Sequence, residues 1–358
     1  MKLDQQALWQ QLHNEGMVQG EMPDAQLLDS PWYVRGLVGF SGWLAAAFML
    51  GFISAGFEFV FDNPLLAIAL GLAMLGMAYK MLASKQINDF TSQFALATSF
   101  AGQSLVAYGL FDTNNTYEGV DWLIIAGLQG VLAWYLPNSL HRIWSAFAAS
   151  MAVCFALAYG HLYFIQSSLL MLAVAFVWLH ELDWLARQDK IKPIAYGLTL
   201  ALIYQACSGQ FYSGMLDLML STNVKHGLWD SPWMGELLSG LVMLALVWTL
   251  LKQAPQAVSK KILGAALFAT LLLVLASFEA RGLSIGIMIM LLGYANGNRL
   301  LTGLGMVSML FYIMAYYYML DTSLLDKARL LLVLGMLLIA ARFAMHYSFS
   351  STREANHA

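Results

Sequence analysis

The chain has 358 residues, 60% of them hydrophobic and 11% charged, with a net charge of −3. An ordinary soluble domain carries roughly 25% charged residues, and a soluble protein of this size could not cover its core with so few. Lipid is therefore the expected solvent for most of the surface, which excludes a soluble enzyme or a nucleic-acid-binding module as the starting reading.

Residues 1–30 are polar and acidic, with no apolar stretch of the kind a secretory signal peptide needs. Within them, Asp4 to Asn14 reads as a short amphipathic helix: Asp4 caps it, Leu8 and Leu12 share a stripe beside Trp9, and Gly16 stops it. Asp29-Ser30-Pro31-Trp32 then suits the start of a helix. Twelve membrane spans follow, at 36–58, 64–82, 91–111, 122–136, 143–162, 166–185, 193–211, 233–251, 262–278, 282–297, 300–320 and 329–347. A span needs about 20 residues. The fourth and tenth are short, and the turn from Glu279 to Gly282 is tight, so ten spans is the alternative count. The layout is a cytoplasmic segment at 1–30, an all-α transmembrane helix bundle at 31–347 and a cytoplasmic tail at 348–358.

Lys and Arg test this drawing. Fourteen lie on the side shared by the two termini: Lys2, Arg35, Lys80, Lys85, Arg142, Arg187, Lys190, Lys192, Lys252, Lys260, Lys261, Arg299, Arg342 and Arg353. Four lie opposite: Lys225, Arg281, Lys327 and Arg329. An even number of spans with both ends in the cytoplasm is what the positive-inside rule expects of that split. The acids divide ten to eleven, so the inner face nets +4 and the outer −7.

Glycines inside spans (Gly39, Gly42, Gly51, Gly71, Gly76, Gly127, Gly303, Gly305) read as close helix contacts, and Gln103, Gln129 and Gln205 as hydrogen bonds between helices. Aromatic residues near span ends, among them Trp32, Trp134, Trp184, Trp233 and Tyr316, suit an interfacial belt. Cys154 and Cys207 read as small buried thiols. Asp-Ser-Pro-Trp occurs at 29–32 and at 230–233, which shared helix-start chemistry explains without an inverted repeat.

Candidate chemistry is sparse. His180-Glu181-Leu182-Asp183 begins like a zinc-protease helix, but position 184 is Trp, so the second imidazole is missing. The segment reads as a polar helix end, with Glu181 and Asp183 as candidate intramembrane polar groups. Arg342, about 18 Å into the last span at 1.5 Å per residue, either snorkels to the headgroups or pairs with Glu181 or Asp183. Glu279 and Arg281 share the tight outer turn, as a solvated pair or as the lining of an outward cavity near Glu58, Asp62 and Glu236. His161 and His226, near the outer face, are weak candidates for pH response or metal binding. The loop from Phe211 to Trp233 has room for a short lid over Met215, Leu216, Leu218, Met219 and Leu220. No phosphate-binding loop, dinucleotide fingerprint or Cys/His ligand cluster is present, so no cofactor or metal is expected.

Pro31-Trp32-Tyr33-Val34-Arg35-Gly36 leading into Ser41-Gly42-Trp43-Leu44-Ala45-Ala46 resembles the opening of a bacterial membrane family known only as domain of unknown function 4401. The later part is similar too: Gly293-Tyr294-Ala295-Asn296-Gly297-Asn298-Arg299, Ala315-Tyr316-Tyr317-Tyr318 and Leu324-Leu325-Asp326-Lys327. The resemblance implies a multi-pass inner-membrane protein without an established activity or catalytic residues. It also implies a separate, small membrane-anchored partner chain carrying a GDYxxLxY motif, which this chain lacks.

On the drawn topology, Tyr316, Tyr317, Tyr318, Asp321 and Lys327 lie at the outer interface and form a candidate docking or pocket surface. The expected role is a non-enzymatic subunit or scaffold of an envelope complex in the bacterial inner membrane, with the lipid bilayer around it and no nucleic acid. A solute transporter or channel is the alternative. A lipid-active enzyme near Glu279, Arg281 or His161 is a weaker one.

Overall fold

The computed structural model describes residues 13–15, 32–56, 58–84, 89–114, 119–220, 232–253, 259–277 and 282–319, together with positions 325, 328, 329, 332, 336 and 339. Among these residues the fold is helical throughout, without strands. Among the described residues, α-helices run α1 (Trp32–Gly56), α2 (Pro64–Leu82), α3 (Asp89–Asn114), α4 (Gly119–Tyr135), α5 (Ser139–Tyr159), α6 (Gln166–Leu179), α7 (Gln188–Leu220), α8 (Pro232–Gln253), α9 (Lys260–Ser277), α10 (Leu283–Ala295) and α11 (Arg299–Met319). Four helices among the described residues are long and apolar enough to cross a membrane, and a bent pair makes a fifth. The N-terminal helix drawn from Asp4 falls almost wholly outside the described residues.

The chain divides into two units, residues 1–115 and 116–358. In the first, Asn63 caps α2 by accepting a hydrogen bond from the Leu66 amide at 3.3 Å, with Pro64 as the first helical residue. Helices α2 and α3 then meet backbone to backbone, because Gly71 and Gly102 face each other: a Cβ on either would stand 2.6–2.7 Å from the other's carbonyl oxygen. Gly42 on α1 packs as closely on Gln93 and Phe94 of α3. The outward side of α1 shows Leu37, Phe40, Trp43, Leu44, Phe48 and Phe52 to the surroundings. That stripe is inverted relative to a water-soluble helix, an exposed apolar face compatible with a membrane setting.

The second unit is built round α10. Its 13 residues are apolar on every side and bury Ile285, Met288, Ile289 and Leu292, as a helix enclosed by its neighbours must. Met171, Val174 and Trp178 of α6, Leu202 of α7, Met243 and Leu246 of α8, and Leu301 of α11 fill the same core. Polar side chains tie the helices: Ser168 donates to the Gly235 carbonyl at 2.9 Å, Gln166 to the Cys154 carbonyl at 2.7 Å and Gln205 to Gln166 Oε1. Both cysteines are free, Cys154 buried and Cys207 partly so.

Three expectations are corrected. The single span over 166–185 ends at Leu179, and after a break the chain turns through 70° into α7. The expected loop and lid beyond Phe211 is instead helix as far as Leu220, so α7 has 33 residues, about 50 Å at 1.5 Å each. Of the glycines read as contacts, Gly42, Gly71 and Gly305 are so, whereas Gly51, Gly76, Gly127 and Gly303 have nothing within 4 Å. Apolar composition does not say which face of a helix a glycine occupies.

Candidate functional site

A group of polar side chains in the second unit gathers at one end, where three connections meet. These are the α4–α5 turn, the 3-10 link Glu181–Arg187 between α6 and α7, and the α10–α11 turn. Contacts join them: Arg142 reaches Asp189, Trp134 lies under Arg187 and Lys190, Asn296 reaches Trp178, and Asn298 reaches Tyr196. The opposite end carries Gly119 against Tyr159 and Gly282 against Tyr312.

The α10–α11 turn has the most fully determined geometry. Its stretch Gly293 to Arg299 closes α10 with paired bonds, Asn298 N–H to the Gly293 carbonyl (2.8 Å) and Gly297 N–H to the Tyr294 carbonyl (3.1 Å). This left-handed helix stop requires positive φ, which Gly297 supplies at +62°. Asn298 at once caps α11, its Oδ1 accepting the Leu301 amide at 3.2 Å. That fixes its amide orientation, so Nδ2 donates to the Tyr196 hydroxyl at 2.8 Å. Asn296 donates to the Trp178 carbonyl at 3.0 Å, tying the turn to the end of α6. Gly293 is obligatory because a Cβ there would collide with the Thr302 backbone.

Trp178 is the inward wall of the corner. It is 1% exposed, donates Nε1–H to Thr199 Oγ1 at 3.0 Å and meets Tyr196 edge-on at 5.2 Å. Outside it lies a shallow dent of about 10 Å³ lined by Val177, Trp178, Glu181, Trp184, Gln188 and Lys192. Glu181 stands 3.8 Å from Lys192, with both side chains partly open to solvent. At that length and exposure the pair positions the link more than it stabilises it.

A second cluster lies on the α5 side. Asn138 caps α5 through the His141 amide at 3.1 Å. His141 is fully buried, its Nδ1 3.1 Å from Ser145 Oγ. Arg142 is 8% exposed and donates from Nη1 to the Asp189 main-chain carbonyl at 3.0 Å, while its buried Nε has no hydrogen-bond partner. Arg187 and Lys190 stand 5.9 and 5.3 Å from the centre of the Trp134 ring, within cation–π range.

The predicted site residues separate. Glu181 lines the dent, and Asp183 is exposed on the same link. Tyr318 is 73% exposed near the end of α11, its ring edge-on to Tyr317 at 5.9 Å; Tyr316 is helical there. Glu279, Arg281, Asp321, Lys327 and Arg342 lie outside the described residues, as does His226. His161 occupies a left-handed helix stop at φ 57°, beside Gly160. Among the described residues no three His, Cys, Asp or Glu side chains converge as metal ligands do.

Sequence reasoning did not single out Trp178 or Tyr196; Trp134 entered only as a belt aromatic, and Arg142 only as one basic residue among fourteen. A signal for Arg142 was present, since Asn138 four residues earlier marks a helix start that places it inside α5. A family model described as Domain of unknown function (DUF4401) matches residues 31–348. No curated protein and no solved structure matches the chain.

Proposed function

The chain belongs to the DUF4401 family, and from that premise we propose that it is a non-enzymatic subunit or scaffold of a bacterial inner-membrane complex. It crosses the bilayer twelve times with both ends in the cytoplasm. One observation carries the reading: the core of the second unit is filled by Met171, Val174, Trp178, Leu202, Met288, Ile289 and Leu292, each at most 1% exposed. A filled core suits a body that presents surfaces rather than one that opens a path. The orientation is supported by the corner itself, where Arg142, Arg187, Lys190, Lys192 and Arg299 gather at one end of the unit.

The partner is a separate small membrane-anchored chain, engaged through the end of α11 about Tyr316, Tyr317 and Tyr318, with Asp321, Lys327, Glu279 and Arg281 of the neighbouring sequence. Solute transport is the second reading, favoured by the broken α6–α7 pair with Glu181 at the break. The test is purification of the tagged chain in mild detergent, with crosslinking from position 318 in cells. A stoichiometric membrane-anchored chain joined at position 318 is expected. A lone protein that catalyses solute flux in proteoliposomes would overturn the scaffold reading in favour of the second.

A further inference from the structure

We propose that the corner formed by Trp134, Arg142, Arg187 and Lys190 binds the phosphate of an anionic phospholipid. The starting point is the buried guanidinium of Arg142. It has five N–H donors, of which the Asp189 carbonyl takes one at 3.0 Å, and its Nε is buried without an acceptor. A main-chain carbonyl neutralises no charge, and a cation held out of water calls for an anion. Asp189 meets this arginine through its carbonyl, and its exposed carboxylate attracts the guanidinium only through space.

Two further cations flank the same residue of α7. Arg187 and Lys190 both stand against Trp134, which holds two long flexible side chains at one place beside the α4–α5 turn. Counting Arg142, Arg187, Lys190 and Lys192 against Glu181, Asp183 and Asp189 leaves the corner at +1. Lys192 and Glu181 offset each other at 3.8 Å, which leaves Arg142 and the two cations at Trp134 against the exposed Asp183 and Asp189.

The surroundings select a lipid phosphate over a free one. Leu182 and Leu185 on the link are 77% and 62% exposed, and Leu140 and Trp144, one turn apart on α5 beside Arg142, are 52% and 50% exposed. A headgroup at the cations therefore has apolar surface next to it for its acyl chains. Basic pockets between helices at the cytoplasmic face are the recurrent setting for such headgroups.

The test uses the full chain, delipidated in mild detergent, titrated with dioleoyl-phosphatidylglycerol, dioleoyl-phosphatidylcholine or inorganic phosphate and read by native mass spectrometry. Phosphatidylglycerol is expected to bind about tenfold more tightly than phosphatidylcholine, and Arg142→Gln to remove that preference. Should Arg142→Gln not fold, the surface double variant Arg187→Gln/Lys190→Gln decides, with a loss of similar size. Equal binding of the two lipids, or an unchanged preference in the variants, would refute the site. Displacement of phosphatidylglycerol by equimolar inorganic phosphate would refute the lipid assignment, because it would make the acyl chains irrelevant.

Discussion

Substituting Gly71 by Ala tests a backbone-to-backbone helix contact in the first unit. The added Cβ would stand 2.6 Å from the Gly102 carbonyl oxygen and 2.8 Å from Val106 Cγ2, where ordinary contacts begin near 3.4 Å. The nearest obstacle is main chain, so no rotamer change relieves it and α2 must retreat by about 0.8 Å. A gap of that width forfeits a quarter to a half of the dispersion attraction across the seam, which includes Met74, Leu75, Ala101 and Leu105. The expected cost is about 1–3 kcal/mol. Gly102→Ala should cost as much. The double variant should cost less than the two together, because one separation accommodates both methyl groups. Gly76→Ala on the same helix is the control: nothing lies within 4 Å of its Cβ, so it should be neutral or slightly stabilising. The readout is thermal unfolding in detergent followed by size-exclusion fluorescence. If Gly71→Ala and Gly76→Ala shift the midpoint alike, the seam is not a backbone contact and the reasoning fails.

Asn298→Ala removes the α11 cap and the bond to Tyr196, at a cost of about 1–2 kcal/mol seen as a lower melting midpoint. Gly297→Ala, forced to φ +62°, should cost a similar amount, and Gly297→Asn should recover part of it because Asn tolerates that region. Thr199→Val leaves the buried Trp178 N–H without its acceptor and should destabilise by about 1–3 kcal/mol, whereas Thr199→Ser should not; the two midpoints measured side by side decide it. Lys192→Met removes the exposed partner of Glu181 and should change stability by less than about 1 kcal/mol, an expectation that a large drop in midpoint would contradict.

The helices were legible because apolar runs and their punctuation are local. Each of the first eleven drawn segments has a helix at its place, and the drawn bounds 64–82 coincide with α2, whereas α5 starts at Ser139, four residues before the drawn 143. What failed was whatever depends on a neighbour. Leu179 ends α6 although Trp184 and Leu185 continue the apolar pattern, and only the 70° bend shows that they form a separate link. Gly71 and Gly76 look alike in sequence, yet one touches backbone and the other touches nothing. The helix beyond Phe211 was hidden by its small and polar residues, Ser213, Gly214 and Asp217, which read as a loop.

The same distinction governs the candidate site. Charges were counted by side, which locates Arg142 but says nothing of its burial. That property arises because α5 starts at Ser139, α7 starts at Gln188, and Gly197 lets the two helices close to backbone contact along one face. The stretch Gly293 to Arg299 is the reverse case. Its likeness to a family was visible in the letters, and the structure assigns those letters to turn chemistry: Gly293 for close approach, Gly297 for positive φ, Asn298 for the cap and Asn296 for the α6 carbonyl. Specific residues at a tight turn therefore need no substrate to explain them. The residues that turn chemistry leaves unexplained are Arg142 with its orphaned Nε and the two cations at Trp134, and it is there that a ligand has something to supply.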